Sequence, residues 1–348
     1  STLTITVTGS NDAPTAVGVL PPVTQADSTR VNVPTAGAFT DTDANNRFTF
    51  GATGLPAGLR IDPATGVITG TLDHQASQGG TGGVHNVVVT ATDSEGAAVS
   101  QRFDFTVTNP APVAAPDTNT VVENGSLVVG ASNGVILGAI GTDTDVDGDT
   151  LVVTGVTTGA AGSLAAVGSG NTGTALVGTL GTLTLNADGS YRYVADQAAA
   201  DALGAGQSAT DTFSYAISDG NGGTAFSTLT ITVTGSNDAP TAVGTLPAVV
   251  RADSTTVSLP TAAAFADVDS DNTFTYSATG LPAGLRIDTA TGVISGTLDR
   301  QASQGGIGGV HGVVVTATDS QGAGTSQRFD FTVINPAPVA TPDTGSVG

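Results

Sequence analysis

The amino-acid sequence predicts an all-β protein built as three tandem β-sandwiches. Three observations carry that prediction. Runs such as LTITVTG, HNVVVTATD, RFDFTVTN, TLTLNADGSYRYVAD and DTFSYAISD alternate apolar with polar residues and are rich in Val, Ile, Thr, Tyr and Phe. That is the period of a strand with one buried face. Residues 1–14 (STLTITVTGSNDAP) return unchanged at 227–240, GLPAGLRID at 54–62 returns at 280–288, and SQRFDFTV at 100–107 returns at 326–333. One constant long offset marks duplicated units. Proline stops the alternation at matching places: SNDAP at 10–14, TNPAP at 108–112, SNDAP at 236–240 and INPAP at 334–338. Proline cannot donate to a ladder, so each segment ends a strand and marks a boundary.

Read in order, residues 1–9 duplicate the last strand of the middle unit and are expected to end a preceding unit of that kind. Residues 10–110 form the first sandwich. Residues 111–236 form a second, with its own pattern. Residues 237–336 copy the first, and 337–348 (APVATPDTGSVG) resemble 111–122 (APVAAPDTNTVV), the start of another middle-type unit. The chain is therefore expected to be an excerpt from a longer array. NADGS at 186–190 is a hairpin turn between two alternating runs. QAAADALGAG at 197–206 is the segment with helical character. SQGGTGGVH at 77–85 lacks the helix and lysine of a phosphate loop and is read as a mobile loop.

Composition excludes several functions. The 348-residue chain carries a net charge of −21, has no lysine, and only two of its 30 acidic residues are glutamates, Glu95 and Glu123. Nucleic acid and anionic membrane both need Lys/Arg patches. Cysteine is absent, so neither disulfides nor thiolate metal sites can form. Three histidines, His74, His85 and His311, are the available imidazoles, and none sits in a Ser or Cys nucleophile motif. His74 is replaced by Arg300 in the copy. Paired carboxylates come with no tryptophan platform for a sugar. The reading is non-enzymatic.

The aspartates are placed, not scattered. Asp143, Asp145, Asp147 and Asp149 alternate in DTDVDGD; Asp267, Asp269 and Asp271 alternate in the third unit, and Asp41, Asp43 and Asn45 in the first. Carboxylates converging on one side of a loop repel unless neutralised, and hard cations with six to eight oxygen ligands do this. An EF-hand is excluded, because its twelfth position is Thr154 and its flanks are strands. A further aspartate ends a long strand in each unit: Asp93, Asp219 and Asp319. In a sandwich that hairpin can share an end with the alternating loop. Asp62 and Asp288, before x-x-Thr-Gly, are read as turn caps.

LRIDPATGVITGTLDHQ at 59–75 and LRIDTATGVISGTLDRQ at 285–301 resemble the cadherin signature, and GLPAGLRID resembles the dystroglycan-type Ig modules of bacterial surface proteins. The middle unit, with Glu123, DTDVDGDTL, ADGSYRY, DTFSYAISDGNGG and VTGSNDAP, resembles the VCBS or bacterial cadherin-like repeat of giant RTX-type adhesins. The resemblance covers nearly the whole chain. It implies cadherin-like, Ig-like sandwiches in an elongated rod, with Ca2+ clamped at each junction. Carried over, the first junction uses Asn11, Asp12, Asp41, Asp43 and Asp93. The second uses Asp73, Asn109, Asp143, Asp145 and Asp219, and the third Glu123, Asn237, Asp238, Asp267, Asp269 and Asp319. Asp147, Asp149 and Asp271 extend the same loops, and Asp27 and Asp253 are candidates for the place of the strand-A glutamate. Two departures matter: the final Glu of the Leu-Asp-Arg-Glu pattern is Gln75 and Gln301, and TNPAP lacks the aspartate of SNDAP.

The resulting expectation is a calcium-stiffened segment of a large bacterial surface or secreted adhesin acting in adhesion and biofilm, with neighbouring repeats as its partners. Two alternatives stay open. One is a self-assembling extracellular filament, in which 1–9 pairs with an open sheet edge of a like chain. The other is an accessory or carbohydrate-binding array of a secreted polysaccharide-active enzyme.

Overall fold

Alternation over nine to eleven residues produces the longest strands, and these build the floor of each sandwich. The computed structural model describes residues 2–43, 47–138, 140–270 and 273–339. In the first unit Val84–Thr92 and Ala98–Thr108 pair antiparallel, flanked by Thr49–Thr53 and by Val23–Ala26. A second sheet joins Arg30–Pro34, Val67–Thr71 and Leu59–Ile61. Phe50, Ile68, Val87, Val89, Phe103 and Phe105 fill the space between. The third unit repeats this with Val249–Ala252, Gly324–Ile334, Val310–Thr318 and Thr275–Thr279 facing Thr256–Pro260, Val293–Thr297 and Leu285–Ile287. Burial of one residue in two along each strand is what makes the sandwich the stable outcome.

The middle unit has two four-stranded sheets. One is Asp117–Val122, Thr224–Thr234, Ser208–Ser218 and Val152–Thr158; the other is Ser126–Val129, Tyr191–Val194, Thr182–Leu185 and Ala175–Val177. The expected NADGS turn closes a hairpin: Asn186 N–H donates to Ser190 C=O at 2.8 Å, and Gly189 takes φ 82°. The helical segment is one turn, Ala198–Asp201, before the chain turns away at Leu203–Gly206. A second turn of helix, Leu164–Val167, was not foreseen; Ser163 caps it by accepting the Ala166 N–H.

In all three units the first strand of the main sheet runs parallel to the last. This pairing fixes what lies beside the linker. The residue after the first strand donates its N–H to the end of the last: Asp27 to Thr108 C=O (3.0 Å), Glu123 to Thr234 (2.9 Å) and Asp253 to Ile334 (3.0 Å). An acidic residue therefore stands at the exit of every sandwich.

One expected strand is not a strand. Residues 2–9 carry the sequence of 228–235, yet they form no ladder, and Leu3, Ile5 and Val7 are 85%, 76% and 88% exposed. Their counterparts Leu229, Ile231 and Val233 are fully buried between Asp117–Val122 and Ser208–Ser218. A strand is made by its neighbours as much as by its sequence, and 2–9 has none here.

Candidate cation sites at the domain junctions

At the entrance of each sandwich, the linker asparagine donates its side-chain N–H to the hairpin aspartate: Asn11 to Asp93 (3.0 Å), Asn109 to Asp219 (2.7 Å) and Asn237 to Asp319 (2.9 Å). The other oxygen of each hairpin aspartate is held by two backbone N–H groups, those of Glu95 and Ala97, of Asn221 and Gly223, and of Gln321 and Ala323. The Asn11 bond and these backbone donors hold the Asp93 carboxyl below the usual carboxylate range. At Gly223 a Cβ would strike Asp219 as it stands, whereas Ala97 and Ala323 fill the same place in the copies.

The alternating loops face the same asparagines. Asp12 N–H donates to Asp43 and Asp238 N–H to Asp269, while Asp43 and Asp269 N–H groups bond Asp41 and Asp267. The structure thus brings Asn11, Asp12, Asp41, Asp43 and Asp93 together, and likewise Asn237, Asp238, Asp267, Asp269 and Asp319. Asp271 lies outside the described residues, as does Asn45.

The two copies differ because of what covers them. Asn11 and Asp12 are exposed, and Asp12 Oδ2 accepts the Thr42 hydroxyl at 3.1 Å. At the third junction the middle sandwich lies against the loop, tied by Ser270 N–H to Ala202 C=O at 3.1 Å. There Glu123 Oε2, Asp238 Oδ2, Asp267 Oδ2 and Asp269 Oδ1 are buried with no hydrogen-bond donor. Glu123 is oriented by its other oxygen, which accepts the Ser236 N–H and hydroxyl at 2.7 and 2.6 Å. Burial, then the charges of Glu123, Asp201, Asp269 and Asp267, push the Asp238 carboxyl up; burial, with Asp269 and Asp319, does the same to Asp267.

The second junction is built from Asp145, Asp147 and Asp149, whose carboxylate oxygens lie within 4.8 Å of one another. Both oxygens of Asp147, one of Asp145 and the Asn109 side-chain oxygen are buried without a donor. Burial, reinforced by Asp145 and Asp149, pushes Asp147 up to about 7. Asp149 accepts the Asn221 amide at 2.5 Å. On the first sandwich, Asp27 stands where Glu123 stands on the second; Ser77 N–H takes its Oδ1 at 2.9 Å, and its Oδ2 is buried without a donor. At the far end of the third sandwich Asp253 occupies the same position, with both oxygens on Ser303.

One expected member of the second set lies elsewhere. Asp143 turns into the core, where Oδ1 accepts the Ala115 N–H at 2.8 Å and both its oxygens lie 3.3 Å from the Tyr215 hydroxyl. The same hydroxyl lies 2.9 Å from Asp117. Asp145 and Asp147 gather at the junction, but Asp143 sits where the loop is stitched to the Ala115 segment. Asp73 is exposed in a turn, its N–H on Ala57 C=O, and no hydrogen bond joins it to Asn109 or Asp219. Asp62 and Asp288 cap turns, each accepting two backbone N–H groups. His85 and His311 bond the carbonyls of Ala76 and Ala302.

Sequence reasoning missed two acidic residues. Asp211, 4% exposed, accepts from Thr179, Leu180 and Gly181 N–H and from the Tyr193 hydroxyl, tying a loop to the core. Asp201 lies at the third junction. No spacing rule flagged either.

A buried oxygen without a donor costs the folded state unless something else pairs it. The unpaired atoms are all carboxylate or amide oxygens, the ligand chemistry of a hard divalent cation. The residues fit one.

Comparison with known families agrees with this architecture. The model described as "Bacterial cadherin-like domain" matches residues 109–235, and the one described as "Putative Ig domain" matches 13–108 and 239–334, more than half of the chain. Among solved structures the chain is similar to mouse cadherin-23 EC22-24, at 16% identity over 94% of this chain and 100% of that one, TM-score 0.41. It is similar to protocadherin gamma B2 domains 1-5 at 16% identity over 93% of this chain and 60% of that one, TM-score 0.43. Drosophila N-cadherin EC1-3 is similar at 14% identity over 92% and 100%, TM-score 0.31. Among curated proteins nothing matches. The chain belongs to the "Putative Ig domain" family through its first and third sandwiches, and carries a bacterial cadherin-like domain between them.

Proposed function

We propose that the chain is a calcium-stiffened structural segment of a bacterial surface or secreted adhesin, without catalytic activity, working outside the cell. The observation that supports this is the third junction. Four carboxylate oxygens from two sandwiches and their linker are buried there without donors. A cation held by Glu123 on one side and by Asp238, Asp267 and Asp269 on the other crosslinks the two domains. Five carboxylates, with Asp319, carry a charge that about two or three divalent ions neutralise. Asp27, Asn109, Asp145, Asp147 and Asp219 hold the second set. Affinities on the order of 10⁻⁴ to 10⁻³ M suit extracellular calcium and leave the sites empty where calcium is scarce. No helix among the described residues is long and apolar enough to cross a membrane.

The partners in this reading are neighbouring repeats of the same polypeptide. The exposed Leu3, Ile5 and Val7 favour a further middle-type sandwich that buries them as Leu229, Ile231 and Val233 are buried. Strand pairing between like chains is the competing outcome, and sedimentation of this chain distinguishes the two. Small-angle scattering in calcium and in chelator tests the main claim. The maximum dimension is expected to be fixed in calcium and spread over many values in chelator. Identical curves overturn the proposal.

A further inference from the structure

We infer that Asp201, at the end of the helical turn Ala198–Asp201, is a further oxygen donor of the third-junction cation site, and that this turn sets the site's affinity. The inference rests on the calcium reading above. It stands on three adjacent pairs of residues that meet at one place. Glu123 is followed by Asn124, Asp201 by Ala202, and Asp269 by Ser270. Asn124 donates its side-chain N–H to Asp201 Oδ1 at 2.7 Å. Ser270 donates its backbone N–H to Ala202 C=O at 3.1 Å. The half-buried Asp201 is thus stitched between the neighbours of Glu123 and Asp269. Those two are 4% and 7% exposed, and each has a buried oxygen with no donor.

Asn124 reaches αL conformation, φ 57°, in the turn that brings its amide to Asp201. Among the described residues, Oδ2 of Asp201 has no hydrogen-bond donor. Its charge also acts on Asp238, ranking after that of Glu123 among the charges Asp238 feels. A carboxylate held beside this acidic group adds a repulsion that a cation would relieve.

The Ig-like sandwiches use the equivalent place differently. There the short helix Ala76–Gln78 spends a backbone N–H, that of Ser77, on Asp27. The turn in the first sandwich is a hydrogen-bond donor to its exit acid; in the middle sandwich it supplies a second acid.

Calcium titration of the full chain by calorimetry tests this with three variants. Asp201→Asn is expected to weaken the tightest class of calcium sites about tenfold, since charge count sets affinity in such sites. Asp201→Glu should retain most of the affinity. Asp196→Asn, in the same segment but exposed on Thr182, should leave the isotherm unchanged. In chelator, Asp201→Asn should melt no lower than the parent, because it removes repulsion. An Asp201→Asn isotherm that overlays the parent overturns the inference while the calcium reading survives. A lower melting temperature in chelator with unchanged affinity assigns Asp201 a purely structural role and overturns it too. A parent chain that binds no calcium removes both.

Discussion

Asp211 and Asp147 lie in the same sandwich, and both are buried. Asp211 has four donors on its two oxygens, from the loop 179–181 and Tyr193. Asp147 has none on either. Asp117 stands between them, sharing one tyrosine hydroxyl with Asp143. Aspartate burial alone therefore says nothing about a ligand. The count of donors separates carboxylates the fold has satisfied from those that need something from outside. The loop around Asp211 is shaped for it, since a side chain at Gly178 or Gly181 would strike Asp211 or Tyr193.

The largest effect is expected at Asp211. Asp211→Ala leaves three backbone N–H groups, two of them buried, and the Tyr193 hydroxyl without an acceptor, at a cost of about 3 kcal/mol or more. The melting temperature of the middle sandwich should fall by about 10 °C, and equally in calcium and in chelator. A fall confined to calcium would erase the distinction drawn between Asp211 and Asp147.

Next comes the intermediate case. Burial, with the Asp143 charge, pushes Asp117 up to about 7 against the Tyr215 hydrogen bond, and burial pushes Asp143 up to about 6. Five acceptors surround that hydroxyl, including the carbonyls of Ala115 and Val135, and it carries one hydrogen. A carboxyl proton supplies the missing donor. The sign follows from the raised value. The native state binds this proton more tightly than the unfolded chain, so the contribution is full below about pH 4. It is lost as pH rises through about 7. In chelator, the middle sandwich should melt progressively lower between pH 5 and pH 8. Asp117→Asn should flatten that slope. A slope unchanged by this substitution refutes the shared proton.

At Asp147 the sign depends on calcium. Asp147→Asn should raise the melting temperature in chelator, where it relieves Asp145 and Asp149. In calcium it should lower it, by the linkage of one lost site, about 1.4 kcal/mol at tenfold excess. The same sign in both conditions would make this an ordinary acidic loop.

Much of this was legible in the sequence, and the limits have physical causes. The sandwiches follow from period-two alternation, and the boundaries from proline. The entrance sets followed from the family resemblance, supported by asparagine and aspartate that recur at the same offsets in the first and third units. Asp143 was placed at the junction by the family resemblance, but here the Ala115 N–H and the Tyr215 hydroxyl take its oxygens. Asp201 and Asp211 were invisible because their roles depend on partners far away in sequence: Asn124, and the loop 179–181. Residues 2–9 read as a strand because sequence records a face to be buried, not whether a neighbour is there to bury it.

The smallest effect concerns the inequality of the two junctions. The second offers Asp27 as its exit acid and Asn109 in a linker without aspartate. The third offers Glu123, one methylene longer, with Asp201 beside it and Asp238 in the linker. More carboxylates and a longer reach favour tighter binding at the third. In a chelator titration, calcium should leave the second junction first. Asp238→Ala removes a carboxylate whose Oδ2 is buried without a donor, so it should weaken the third junction by several-fold. Asn109→Ala removes one neutral oxygen, but also the hydrogen bond that orients Asp219. Its effect on the second junction should be smaller, about two- to threefold, because the charge count there is unchanged. Paired probes across each linker, read by distance as chelator is added, separate the two events. Simultaneous release, with equal sensitivity to the two substitutions, would mean that the linker aspartate contributes nothing and that the loop aspartates alone set both sites.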